Sequence, residues 1–219
     1  GNLQEAENSY RKAIELNPDF ADAHSNLSHL ELLKGDYQSG LENYEFRLNK
    51  KEPTIPQGTI KLKRVNNEKL EKGEKLLIIS EQGLGDTLQY MRYIPYIRHK
   101  DIDISFCAQE KLHTLIQASG IDQNPLKPEQ SILFSEGKWI PLLSLPRYLK
   151  VNPENPIISE PYIFSNDELS YKWKKILSQE KRPIVGINWQ GNKNIESSYQ
   201  GRSIPLETFS IISDLKNLT

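Results

Sequence analysis

Cysteine is almost missing from this sequence: Cys107 stands alone among 219 residues. No internal disulfide can form and no cysteine cluster can hold a metal, which fits a reducing, cytoplasmic setting. Within its strand-like surroundings Cys107 reads as a small buried hydrophobe. No apolar run approaches the ~20 residues that a membrane-spanning helix needs. No signal-peptide pattern opens the chain, whose first residues fall in mid-motif. Neither sign of charge dominates: 28 lysines and arginines face 29 aspartates and glutamates, so no strong field for nucleic acid or anionic membrane is expected. His24, His29, His99 and His113 are scattered without ligand spacing, and no metal site is expected. Asp101-Ile102-Asp103 has the form of a metal-binding acid pair, but it opens a strand, where short acids belong to turns, and no further ligand is near.

A repeat opens the chain. Gly1-Asn2-Leu3 matches Gly35-Asp36-Tyr37, Ala6 matches Gly40, Tyr10 matches Tyr44 and Ala13 matches Arg47, always 34 residues apart. That offset is the period of a tetratricopeptide (TPR) repeat, two helices per unit. Small residues at Ala6 and Gly40 let helices approach closely, with Tyr10 and Tyr44 beside them. Pro18 ends one unit. Ala23, Leu27, Leu30 and Leu33 space one helix; Leu41, Tyr44 and Leu48 space the next after a turn at Gly35. One and a half repeats over residues 1–50 bury too little by themselves, so the native protein is expected to continue before Gly1 and the repeats to pack on the α/β part of the chain.

Residues 51–75, with Pro53, Pro56, Gly58 and Gly73, read as a linker with a short strand near Thr59–Leu62. Leu76–Ser80 is a short apolar run, the pattern of a strand buried on both faces. Leu88, Met91 and Ile94 then have helical spacing, which Pro95 kinks or ends. Asp103–Ala108 reads as a second strand, Lys111–Ala118 as a second helix, and Ile132–Phe134 as a short strand. Trp139–Pro146, apolar but broken by proline, reads as a packed loop. Ser165 followed by Glu168 has capping-box form, and Leu169, Trp173, Ile176 and Leu177 line the helix it starts. Pro183–Trp189 reads as another strand, and Pro205 opens a last helix. Strands alternating with helices argue for a parallel α/β sheet over 76–180, with the start of a second α/β unit at 181–219.

Two loops carry candidate chemistry. Gly83-Leu84-Gly85-Asp86 lies between a strand and a helix, where glycines permit backbone that side chains oppose and free N–H groups favour anions. It lacks the lysine of a phosphate loop and the third glycine of a dinucleotide fingerprint, which leaves a nicotinamide-dependent oxidoreductase poorly supported. From spacing, Asp86 reads either as a helix cap or as a carboxylate at the end of a strand, where α/β sheets place catalytic groups. Asn188-Trp189-Gln190-Gly191-Asn192-Lys193, followed by Arg202-Ser203-Ile204-Pro205, reads either as a solvated loop or as a phosphate site held by Arg202 and Lys193.

Taken together these motifs resemble a known arrangement. Gly40–Arg47 looks like the last repeat of bacterial TPR proteins fused to a glycosyltransferase. Glu81–Tyr90, Pro141–Pro146, Gly186–Asn192 and Gly201–Leu206 resemble, in order, the motifs of the family 9 ADP-heptose:lipopolysaccharide heptosyltransferases. The resemblance implies a GT-B fold of two Rossmann-like domains, the first on the acceptor side and the second on the donor side. It implies that Asp86 is the catalytic aspartate on the loop of Gly83 and Gly85, and that Asn188, Gln190 and Arg202 hold the phosphates of a nucleotide-sugar. The family's acidic, histidine-bearing donor motif would fall after Thr219. The expected reaction is inverting and independent of metal: a carboxylate takes the acceptor hydroxyl proton while N–H groups and arginine stabilise the leaving diphosphate. The acceptor is a saccharide or a protein. In the alternative, the transferase-like part is inactive and the repeats act as a scaffold, holding a peptide in their groove.

Overall fold

The computed structural model describes residues 2–81, 83–157, 160–181, 184–189 and 203–210. The chain divides into two compact units, Gly1–Ser165 and Asn166–Thr219. The first begins with three helices. Helix α1 (Leu3–Leu16) is capped by the Asn2 side chain, which accepts from Glu5 N; α2 (Ala21–Leu33) follows; α3 (Tyr37–Tyr44) is capped by Asp36, which accepts from Ser39 N. A 3-10 turn over Glu45–Leu48 ends the helical part. Gly40 makes the α2–α3 approach possible: a Cβ there would stand 2.8 Å from Leu32 Cγ and 3.0 Å from Leu32 N. Ala23, Leu27 and Leu41 are buried between these helices, whereas Leu33, expected on the same face, is exposed.

Four parallel strands come next: β1 (Lys63–Arg64), β2 (Lys75–Ile79), β3 (Asp103–Cys107) and β4 (Lys138–Pro141), in the spatial order β1-β4-β2-β3. Leu126 adds one further parallel bridge outside β3, at Cys107. Between the strands run α4 (Leu84–Tyr90), α5 (Tyr93–Arg98) and α6 (His113–Ala118), and α7 (Leu145–Tyr148) follows β4. Successive side chains of β2 face opposite ways. Leu76 and Ile78 join Ile94, Phe106, Ile116 and Ile140 on the helical face. Leu77 and Ile79 meet Cys107, Ile60, Leu62 and Phe134 on a face covered by loops. The break between α4 and α5 has its cause in Pro95, which has no N–H for the Met91 carbonyl and whose ring crowds that turn.

Several elements differ from the sequence reading. The strand expected near Thr59–Leu62 forms at Lys63–Arg64, because only there does β4 offer a ladder. Ile132–Phe134 is no strand: Pro128 opens a 3-10 turn over Pro128–Leu133, and the Ser131 hydroxyl donates to the Pro128 and Thr59 carbonyls. Trp139–Pro146 is no loop either. Its first half is β4, next to β2 in the sheet. Pro141 stands at the strand's last position and Pro146 in the first turn of α7, both places that tolerate proline. Gly137 admits β4: its φ is +93°, and a Cβ would stand 2.4 Å from the Lys75 carbonyl oxygen.

In the second unit, α8 (Asp167–Leu177) is capped by Asn166, one residue later than expected, through Leu169 N. Its apolar residues are all partly exposed. Residues 184–189 form no strand. An apolar run becomes one only where a neighbour accepts its ladder. A single backbone bond, from Ile204 N to the Trp189 carbonyl, is too little among the described residues to make one. Pro205 precedes a 3-10 turn over Leu206–Phe209.

Candidate functional site

The order of the strands locates the site. From β2 the chain moves outward to β3 and Leu126, then returns over the loop-covered face to β4 on the other side of β2. Strand order therefore reverses between β2 and β4. In open parallel sheets ligands bind outside the carboxyl ends of strands at such a point. Two segments meet there: Glu81 with Gly83–Asp86 after β2, and Leu142 to Ser144 after β4.

Gly83, Gly85 and Asp86 lie together on the first segment. Gly83 caps α4 with φ −67° and ψ 167°, and Gly85 lies within the helix. Neither has a conformation closed to other residues, contrary to expectation. What the glycines leave is open surface: nothing lies within 4 Å of a Cβ at Gly85, and only the Asp86 carboxylate, at 3.3 Å, meets one at Gly83. Asp86 is half-buried. Its Oδ2 accepts from Gly83 N at 3.0 Å, and Thr87 N donates to the Gly83 carbonyl at 3.2 Å. The carboxylate thus caps the helix, one of the two roles open to it. Its other oxygen has no hydrogen bond among the described residues. Burial pushes the Tyr44 phenol up to about 12, and burial followed by the Asp86 charge pushes that of Tyr90 upward.

Sequence reasoning missed the best-buried charges of the site. Arg47, from the turn after α3, donates through Nε and Nη2 to both oxygens of Glu81 at 3.1 and 3.0 Å. The two side chains are 2% and 0% exposed. Glu81 also accepts from Leu143 N at 3.1 Å. Arg47 reaches the Ser144 hydroxyl at 2.9 Å, lies over the Tyr44 ring, and pairs with Glu45, which also holds Arg64. Burial pulls the Arg47 guanidinium down, but Glu81 outweighs it and Arg47 stays firmly charged; burial pushes the Glu81 carboxyl up against the pull of Arg47. The signal for Arg47 was present in the repeat: a long cation stands where the preceding unit has Ala13.

Of the second loop, Asn188 is exposed and belongs to the other unit; Gln190, Lys193 and Arg202 lie outside the described residues. Asp101, of the acid pair at the start of β3, has φ 58° and pairs with Lys72 at 2.6 Å. Among the described residues no three histidine, cysteine, aspartate or glutamate side chains are placed to hold a metal ion. No helix among them is long and apolar enough to cross a membrane.

Compared with known proteins, the chain matches a family model described as TPR repeat over residues 1–35, which spans α1 and α2. No curated protein and no solved structure matches it. The chain therefore carries a TPR repeat, a structure that supports protein–protein interaction, ahead of a parallel α/β sheet.

Proposed function

We propose that this protein is a TPR-linked glycosyltransferase that moves a sugar, with inversion, from a nucleotide-sugar to a saccharide or protein acceptor in the cytoplasm. Residues 76–180 are its Rossmann-like, acceptor-side domain and residue 181 opens the donor side of a GT-B fold. The observation that carries this reading is the place of Asp86: a half-exposed carboxylate on the loop after β2, where the strand order turns back. The parallel sheet order β1-β4-β2-β3, with the Leu126 bridge beyond β3, turns back at β2 as a doubly wound sheet does, and this supports the reading. Asp86 takes the acceptor hydroxyl proton as the oxygen bonds to the anomeric carbon and the bond to the diphosphate breaks. Asn188, Gln190 and Arg202 hold that diphosphate, and no metal takes part.

Asp86→Asn tests the reading. As the third residue of α4, Asp86 caps by accepting from Gly83 N, and the side-chain oxygen of an asparagine can accept the same bond. A general base contributes on the order of 10²- to 10⁴-fold in rate, and asparagine cannot take the proton. In the full-length protein the variant is expected to melt within a degree or two of wild type and to lose most of its kcat, whereas residues 1–219 by themselves are expected to turn over no donor. The assay is nucleoside diphosphate release from uridine-, guanosine-, adenosine- and thymidine-diphosphate sugars with saccharide and protein acceptors. Near-normal kcat in the folded variant returns Asp86 to the role of cap alone. The second reading, a scaffold with an inactive transferase-like part, is favoured by one observation. Arg47 and Glu81 fill the space between the ends of β2 and β4. It predicts no turnover with any donor and a peptide captured by the repeat.

A further inference from the structure

One side chain joins three parts of the first unit. The N–H donors of the Arg47 guanidinium stand in a fixed fork, and every nitrogen of it has an acceptor. Nε and Nη2 meet the two Glu81 oxygens after β2, and Nη2 also meets the Ser144 hydroxyl after β4. Nη1 meets the Tyr44 carbonyl at 3.1 Å and the Glu45 carboxylate at 3.0 Å, both at the end of the repeat. The Tyr44 ring lies 4.5 Å from the guanidinium carbon. With its nitrogens all engaged, the side chain is locked in one orientation.

Glu81 is held as firmly. Its side chain accepts from Arg47 and from Leu143 N, and its carbonyl accepts from Gln57 Nε2 at 3.3 Å. The residue before it, Ser80, donates its N–H to the Cys107 carbonyl at 2.9 Å and accepts from Gln57 N at 2.8 Å. The chain at the end of β2 is thus fixed from the repeat, from the linker, from β3 and from the loop after β4. Two residues beyond Glu81, Gly83 N donates to Asp86 Oδ2, and the Gly83 carbonyl accepts from Thr87 N. Thr87, wholly buried, donates through its hydroxyl to Gln109 Oε1 at 2.8 Å. The Asp86 carboxylate therefore points where Gly83 and the first turn of α4 put it, and Glu81 is an anchor that precedes them in the chain.

A buried ion pair adds little to stability over apolar side chains of the same volume, so stability alone does not account for one here. Direction does: a guanidinium fork on a carboxylate admits one register, whereas apolar packing tolerates sliding. Misplacing a catalytic group by about 1 Å costs about 10²-fold in rate. We propose that Arg47 and Glu81 are positioning residues of the transfer reaction, through which the end of the repeat holds the loop of Asp86 in register with the loop after β4. The inference rests on the proposed transferase reading. It makes the last turn of the repeat part of the catalytic scaffold, and not only an arm for a partner.

The test separates register from stability in the full-length protein. Arg47→Met with Glu81→Leu removes both charges and keeps the volume, so the variant stays folded where a single truncation would not. With the donors and acceptors named above, its kcat should fall about 10- to 100-fold while the acceptor KM stays within about 2-fold. Arg47→Lys keeps the charge but offers its donors from one point, and should fall between wild type and the double variant. Ile116→Ala, a cavity in the core at α6, should lower the melting temperature and leave kcat as it is. Glycine-selective 15N spectra, with Gly83 assigned through Gly83→Ala, should show the Gly83 amide proton moved in the double variant and unmoved in Ile116→Ala. An unchanged or raised kcat in the double variant, or an equal loss in Ile116→Ala, overturns the inference; a raised kcat would make the pair a plug. Near-normal kcat in Asp86→Asn overturns the transferase reading instead. If wild type transfers no sugar, that reading fails too, and the Gly83 amide decides alone: moved, the pair still places Asp86; unmoved, it does not.

Discussion

The repeat and the sheet of the first unit are held together by different means. The sheet is apolar at its centre: Ile78, Ile94, Phe106 and Ile140 are wholly buried. The three helices bury little beyond Ala23, Leu27 and Leu41, and polar contacts run across them instead. Arg11 pairs with Glu7 and with Glu31, Lys34 with Glu7, and Asn43 donates to Glu31. His24 stacks on Phe46 at 3.7 Å and bridges Asn43 and the Pro18 carbonyl. A repeat of this kind buries too little to fold alone. It leans on the sheet through a charged joint, Arg47 on Glu81, and that joint grips the segment that leads into Asp86. A weakly cored module can thus be part of a site when one buried ion pair sets its register.

Breaking the joint should have the largest effect. Arg47→Ala leaves the Glu81 carboxylate buried without its partner, a loss of about 3–5 kcal/mol. Urea denaturation measures it, and an unchanged midpoint would mean that the repeat does not depend on the joint. Arg47→Met with Glu81→Leu should recover much of that loss, since removing both charges also removes their desolvation cost.

Truncation within either region asks whether the two fold as one. Leu27→Ala in the repeat and Ile78→Ala in the sheet each remove a buried side chain, at about 2–5 kcal/mol. Both should unfold the first unit in one transition, because the joint couples them. If Leu27→Ala instead melts the helices in a separate step with the sheet unchanged, the two regions are thermodynamically independent.

The smallest effect concerns pH. Burial, helped by the charge of Lys50, holds the His29 imidazole below its ordinary value of 6.5. The folded protein therefore refuses a proton that the unfolded chain accepts. Stability from this group is full above pH 6.5 and declines as pH falls from there to the folded value. His29→Gln should remove that part of the decline, seen as a flatter dependence of melting temperature on pH between about 7.5 and about 5. An unchanged slope would clear His29 of any role.

Local pattern carried much of the architecture. The 34-residue offset, the turn at Gly35, the apolar run of β2 and the helix break caused by Pro95 all depend on neighbours in sequence, because helix and turn chemistry is short-ranged. The loop of Gly83, Gly85 and Asp86 was legible for the same reason: a strand, two glycines and an acid stand in one stretch. Other features depended on partners far along the chain. Residues 138–141 become β4 only because β2 and β1 flank them; by composition, proline argued for a loop. In the sequence Arg47 stood only as the counterpart of Ala13 in the repeat. Its role came from a carboxylate 34 residues away and a serine 97 residues away, and a guanidinium is stable in the interior only when such acceptors converge on it. Sequence alone was thus enough for most of the elements and one catalytic candidate. Which strand lies beside β2, which charges are buried and where the repeat meets the sheet were decided by tertiary structure, because burial and long-range pairing have no local signature.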